Sequence, residues 1–287
     1  MKTGFVVPYA TEREFAELAR LGEQRGWDAV FGWEAVYGVD AWVQLGAAAM
    51  VTETIRLATL LTPASRHRPW DLASAVGSVD RISGGRVTIS VGLGAVHPGW
   101  TAFEADEGRA VRAKKLDESL AVFAGLLGGA GGFTYDGEHY SAGPNDFLLP
   151  PDPPQRPHPP VWVVAAPTPG GGRQRSLERA ARWQGVIPAI HPSAEGAPGE
   201  PKTVGAFAAV VERVRVLRAD LGLAWAGYDV VIEADSYGGF TSLEPVGQDA
   251  WSQAGATWWV ESWWDVPQGP DGLAEVRRRV EAGPPTS

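Results

Sequence analysis

Short, nearly unbroken apolar runs alternate along the chain with longer stretches whose apolar residues recur at helical spacing. The first run, Thr3 to Val7, stops at Pro8. The segment ATEREFAELARLGEQRG that follows has Thr11 at an N-cap position, Glu14 at the reciprocal capping-box position and Gly26 as a stop. The unit then repeats. Strands over Trp27 to Trp33, Ile55 to Leu61 and Arg86 to Gly92 precede helices over Ala41 to Val51, Trp70 to Ile82 and Arg109 to Leu127. Further strands over Val161 to Ala165, Gly185 to Pro188, Tyr228 to Ala234 and Thr257 to Glu261 alternate with helices over Gln174 to Trp183, Val204 to Leu221, Val246 to Ala254 and Asp271 to Glu281. Strands apolar along their whole length need cover on both faces, as in a parallel sheet with helical crossovers. Eight such units in roughly 250 residues predict a closed (β/α)8 TIM barrel of the α/β class over an open sheet.

Two segments interrupt the repeat. Residues 133 to 160 carry an Asp136-Gly137 turn between aromatic flanks, read as a small hairpin, and then a proline-rich loop. Residues 191 to 203, HPSAEGAPGEPKT, read as an exposed rim loop. With these as insertions, residues 1 to 287 are expected to form one domain.

A net charge of -9 argues against nucleic acid or an anionic membrane as partner and leaves a small molecule. The absence of cysteine excludes disulfides, thiolate nucleophiles and zinc-thiolate sites. No secretory signal and no membrane span is legible, so a cytoplasmic location is expected.

Reactive groups of such barrels sit at the C-terminal strand ends. There the chain offers mostly aromatic residues and glycines. Lys2, Lys114, Lys115 and Lys202 stand before strand one, in a helix and in a loop, which removes a Schiff-base lysine from the expectations. The histidines are scattered without metal-binding spacing, and no metal site is expected. A chain short of its own catalysts points to a bound cofactor. Gly92-Leu93-Gly94 closes strand four, either as a tight turn or as a place where a flat ring lies on bare backbone. Gly170, Gly171 and Gly172 lead into a helix and, with Arg173 and Arg175, read as a phosphate site or as a flexible loop with solvated arginines.

The stretches TETIRLATLLTPASRHRPWDLASAVGSVDRISGGRVTISVGLG (52 to 94), PPVWVVAAPTPGGGRQRSLERAARWQGVIP (159 to 188) and GATWWVES (255 to 262) resemble the bacterial luciferase-like superfamily of flavin- or F420-dependent oxidoreductases. The resemblance implies FMN or F420 at the barrel mouth and a bulge with a non-prolyl cis peptide near Thr59-Leu60. It implies Thr59, Leu60, Gly92, Leu93 and Gly94 as ring contacts, and Ala166, Gly171, Gly172 and Arg173 as phosphate contacts. Many relatives end strand two in Asp-His; this chain has Glu34-Ala35 there. Glu34 is therefore a candidate acid, base or ring partner if burial among Trp33, Trp42 and Trp70 raises its pKa, or else the partner of Arg66 or Arg68 in a salt bridge. His97 is the imidazole nearest in sequence to the expected ring site, or a surface loop residue. Trp33 and Trp100 are candidates for lining an apolar substrate cavity.

The activity expected is an FMNH2-dependent monooxygenase acting on a small organic substrate, with reduced FMN delivered by a separate flavin reductase and the chain a homodimer. An F420-dependent reductase or dehydrogenase, with Arg66, His67, Arg68, Arg109 and Arg112 toward the cofactor's anionic tail, and a non-catalytic flavin-binding or structural subunit are the alternatives.

Overall fold

The computed structural model describes residues 1–96, 98–129, 132–168, 172–190, 202–238 and 243–285. His97, Gly170, Gly171 and His191, all singled out above, lie outside the described residues, as does most of the 191 to 203 loop.

Eight parallel strands close a barrel: β1 (Lys2–Val6), β2 (Ala29–Gly32), β3 (Arg56–Thr59), β4 (Val87–Val91), β7 (Val161–Ala165), β8 (Gly185–Pro188), β9 (Asp229–Ala234) and β10 (Trp258–Ser262), with β1 pairing both β2 and β10. The hairpin strands β5 (Tyr135–Asp136) and β6 (Ser141–Ala142) stand apart as the antiparallel pair that the Asp136-Gly137 turn predicts. Around the barrel lie α1 (Glu12–Gln24), α2 (Ala41–Ala49), α3 (Pro69–Ser83), α4 (Pro98–Thr101), α5 (Arg109–Leu127), α6 (Arg175–Ala180), α7 (Val204–Asp220), α8 (Gln248–Gln253) and α9 (Pro270–Glu281).

Local sequence explains the element ends. The Thr11–Glu14 capping box opens α1, and Gly84 closes α3 in the left-handed conformation at φ 67°. Helix α6 is shorter than the apolar pattern suggests, because residues 181 to 184 turn back into β8. Arg86, at the start of β4, donates to the carbonyls of Ala49, Thr52, Ile55 and Ser83 and to the Thr52 hydroxyl, tying the end of α2 to the end of α3.

Alternation along the strands divides the core into two parts. One face packs against the helices, with Phe5, Leu57, Ile89, Val163 and Ile232 fully covered. The other fills the barrel with Val6, Ala29, Phe31, Ala58, Leu60, Trp162, Ile187, Val231, Trp258 and Val260. Gly4 is small because a Cβ there would lie 2.6 Å from the Phe31 ring. At the closed end of the barrel, the Trp162 and Trp258 indoles both donate to Asp229, at 3.1 and 2.9 Å. The buried Trp162 and Trp258 side chains thus fill the barrel interior beside Asp229.

The 133 to 160 segment is pinned at both ends. The Glu118 carboxylate accepts the backbone N–H groups of Glu138, His139 and Tyr140, and the Gln155 amide donates to buried Asp80 and to the Val87 carbonyl, each at 2.7 Å. Among the described residues no helix is long and apolar enough to cross a membrane.

Candidate active site

At the C-terminal mouth the barrel interior continues into a cleft of about 310 Å³. Its floor is made by Leu60, Val164 and Ile187, and its walls include Leu61, Trp33, Trp100 and Trp264. The wall at β3 departs from regular strand geometry. β3 pairs β4 through Ala58↔Thr88, and pairing resumes at Thr62↔Val91, so β3 holds one residue more than its partner over this stretch. The expected bulge is present. The cis peptide lies at Leu60-Leu61, one residue beyond the expected Thr59-Leu60, because Thr59 still belongs to the strand and pairs with Gly32.

Glu34, just after β2, faces this cleft with its side chain 9% exposed. Its Oε1 accepts from the Trp42 indole and the Thr62 hydroxyl, both at 2.8 Å, while its Oε2 is 2.5 Å from His67 Nε2. Each hydroxyl has one hydrogen to give. A consistent chain therefore runs from the Ser90 N–H to Thr59 Oγ1 at 3.2 Å, on to Thr62 Oγ1 at 3.0 Å, and ends on the Glu34 carboxylate. Burial alone would lower the affinity of His67 for a proton, but the hydrogen bond and charge of Glu34 outweigh it and raise the imidazole above its ordinary range.

The ion-pair partner of Glu34 is thus His67, not Arg66 or Arg68. Trp42 does cover Glu34, but Trp70 lies on the outer face of α3, 40% exposed, and takes no part. The sequence alone offers His67 only as a contact for an anionic tail. The signal that it belonged to the site was its place in the loop after β3, on the mouth side.

The opposite wall holds a second charged pair. Lys202 Nζ lies 3.7 Å from Glu233 Oε2 and 3.3 Å from the Glu233 carbonyl, and the Trp264 indole donates to Glu233 Oε1 at 2.8 Å. Lys202, set aside as a loop residue, therefore reaches the cleft. Beyond Trp33 lies a second groove of about 680 Å³, bordered by Tyr9, Tyr37, Leu273 and Arg277. Trp33 borders both hollows, held by its donation to the Pro8 carbonyl at 2.5 Å and by edge contacts to Tyr9 and Trp264.

Of the expected ring contacts, Leu60 and Gly94 line the cleft. Thr59 is fully buried behind the wall, and Leu93 and Gly94 are fixed from behind by Arg112, which donates to both carbonyls. The bare backbone at the glycines has protein neighbours. A Cβ on Gly92 would meet Leu61 at 3.0 Å, and one on Gly94 (φ 71°) would lie 2.5 Å from the Trp100 ring and 2.9 Å from Pro63. These glycines make room for the two walls. Trp100 is in turn held beneath the guanidiniums of Arg66 and Arg112, at 4.9 and 5.4 Å. Those cations are already paired, Arg66 with Glu104 and Arg112 with Asp106.

In the expected phosphate segment, the Ala166 carbonyl accepts from the Ser176 hydroxyl at 2.6 Å, and Gly172 is exposed, with open space where a Cβ would stand. Arg173 is exposed and paired with Glu178, while the Gln174 side chain closes the loop onto Thr168 and Gly172. An anion there would compete with Glu178 for Arg173. No cluster of metal-ligating side chains occurs among the described residues.

Residues 4–215 match the model of the luciferase-like monooxygenase family. An uncharacterized protein of Mycobacterium tuberculosis is 38% identical over 133 residues, which is 45% of this chain and 44% of that protein. The F420-dependent glucose-6-phosphate dehydrogenase of Beutenbergia cavernae is 30% identical over 167 residues, 54% of this chain and 47% of that enzyme. The matched stretches thus span less than half of these relatives. Among solved structures, the monooxygenase RslO1 from Streptomyces bottropensis superposes with a TM-score of 0.66 at 25% identity, covering 98% of this chain and 79% of that one. A closed eight-stranded parallel barrel with a bulged β3 wall, and a family match across about three quarters of its length, place this chain in the luciferase-like monooxygenase family.

Proposed function

We propose that the protein is an oxidoreductase that takes a flavin or deazaflavin into the cleft with the ring edge toward β3 and β4, and that it works as an FMNH2-dependent monooxygenase on a small apolar substrate. The observation that carries this reading is the cleft itself, a largely apolar hollow walled by the Leu60-Leu61 bulge and three indoles at the end of the barrel where such enzymes react. Its volume lies at the lower end of the range for small-molecule sites, about 300–1,000 Å³.

The residues fit a flat ring. Leu60, Leu61 and Gly94 would hold one face, with the ribityl phosphate toward Ala166, Gly172 and Arg173. The reduced cofactor, delivered by a partner reductase, would supply the oxygen-activating chemistry. The protein's contribution is orientation and exclusion of water by Trp33, Trp100 and Trp264. The structural similarity to a monooxygenase, across 98% of this chain and 79% of that one, supports this reading.

Two observations favour a second reading, hydride transfer with F420. One is the relative from Beutenbergia cavernae. The other is the Glu34–His67 pair, which gives the cleft a proton-handling group. Fluorescence titration of the purified protein with FMN and F420, each oxidised and reduced, separates the two. Tight binding of reduced FMN followed by coupled oxygen uptake supports the monooxygenase. Binding of F420 alone supports hydride transfer, and binding of neither refutes both.

A further inference from the structure

Beside the cleft lies an outer pocket of about 390 Å³, bordered by the loop after β3, the start of α5 and Tyr140. His67 borders this outer pocket and does not line the cleft. Glu34 lines the cleft and does not border the pocket. The two side chains meet through the wall at 2.5 Å, Nε2 to Oε2. We propose that His67 and Glu34 form a proton relay that connects the solvated outer pocket to the apolar cleft, with His67 as the positioning and loading residue and Glu34 as the group that meets the reacting atoms. The inference deepens the oxidoreductase reading and rests on it.

Three features of the surroundings suit a relay. First, Glu34 Oε1 is occupied by the Trp42 and Thr62 donors, so Oε2, the oxygen facing His67, is the one available to carry a proton. Second, the other titratable groups lining the cleft among the described residues, Lys202 and Glu233, face each other across 3.7 Å. Third, the charges around His67 largely cancel. Arg66 pairs with Glu104, Arg112 with Asp106 and Lys115 with Glu107, while Arg68 is exposed and Asp40 lies on the α2 side. The Tyr140 hydroxyl lies 3.4 Å from both the Ser65 and the His67 carbonyl and donates to one of them, holding the loop. Glu34 is thus the charge that dominates His67, and it raises the imidazole's proton affinity.

The step balances as a proton transfer with no electrons moved. The imidazolium gives its Nε2 proton to Oε2. The neutral ring keeps its Nδ1 proton, a turn of the carboxylic acid delivers the proton from Oε2 to an acceptor in the cleft, and a turn of the imidazole toward the outer pocket lets water reprotonate Nε2 before it returns to Oε2. Run backward, the same path removes a proton from the cleft.

The test has one arm without cofactor and one with it. In the ligand-free protein, the His67 imidazole, assigned by its loss in H67Q, is titrated by nitrogen-15 NMR. The expected midpoint lies above the ordinary value of about 6.5 and falls to or below it in E34Q. An unchanged midpoint in E34Q overturns the relay. In the second arm, turnover is measured with whichever of reduced FMN plus oxygen, or F420, binds the wild type. His67→Ala is expected to lose at least tenfold in rate and to recover with added imidazole in a saturable way. His67→Gln keeps a donor to Glu34 but cannot pass a proton, so it should bind cofactor as wild type does and remain slow. A fast H67Q with the wild-type pH profile, or an H67A that binds cofactor and is not rescued, overturns the relay alone. Failure of the wild type to bind either cofactor overturns the oxidoreductase reading, and the relay with it.

Discussion

The substitution Thr62→Val removes one hydroxyl from a buried position and keeps the side-chain shape. Thr62 Oγ1 is 2.8 Å from Glu34 Oε1 and 3.0 Å from Thr59 Oγ1. The carboxylate loses one of its three donors. Thr59 loses an acceptor but keeps the Ser90 carbonyl at 3.3 Å, so no second group is orphaned. A hydrogen bond to a charged group contributes about 1.5–3 kcal/mol, and the expected loss is about 2 kcal/mol. Urea denaturation measures it as a fall in midpoint at unchanged slope. In an E34Q background the acceptor is neutral, and the cost of T62V should fall to about 1 kcal/mol, exposing the coupling in a double-mutant cycle. A loss below about 0.5 kcal/mol in the wild-type background would show that Trp42 and His67 satisfy Glu34 without Thr62 and would refute the hydrogen-bond chain.

Other perturbations follow from the same geometry. Gly94→Ala combines a left-handed backbone with a Cβ 2.5 Å from the Trp100 ring. It should cost about 2–4 kcal/mol by denaturation and weaken cofactor binding as Trp100 is pushed aside, and wild-type behaviour in both would refute the wall assignment. Arg86→Lys replaces a guanidinium that serves four carbonyls with an amine that has three hydrogens. A loss of about 2–4 kcal/mol is expected, read as a lowered urea midpoint. The raised folded-state affinity of His67 gives stability that is fully present below its unfolded midpoint of about 6.5 and is lost as pH rises through the folded midpoint. Thermal midpoints should therefore fall with pH across that window more steeply in wild type than in H67Q, and identical slopes would refute the pairing.

The barrel was legible because its signals are local. The bounds of α5, β7 and β8 match the expected residues, and the Thr11–Glu14 capping box forms as its spacing implies. The site was less legible because its partners come from separate loops. Glu34 stood out as a carboxylate at a strand end. That it meets His67, 33 residues on, depends on the β3 bulge and on the short turn at Ala64–Arg66, and neither is encoded by periodicity. Lys202 carries no periodic signal because it stands in a loop, although loops on the mouth side are where barrels place reactive groups. The glycines at 92 and 94 signalled a close approach, but one sequence position does not tell whether a ligand or another side chain approaches.

Trp33 borders two hollows of unequal size, its indole fixed by one hydrogen bond and two ring contacts. In evolutionary terms, a single codon then sets the shape of both hollows at their shared border. A smaller side chain at that position would widen both without moving a strand, so the mouth of such a barrel can be reshaped while the barrel that carries it stays the same.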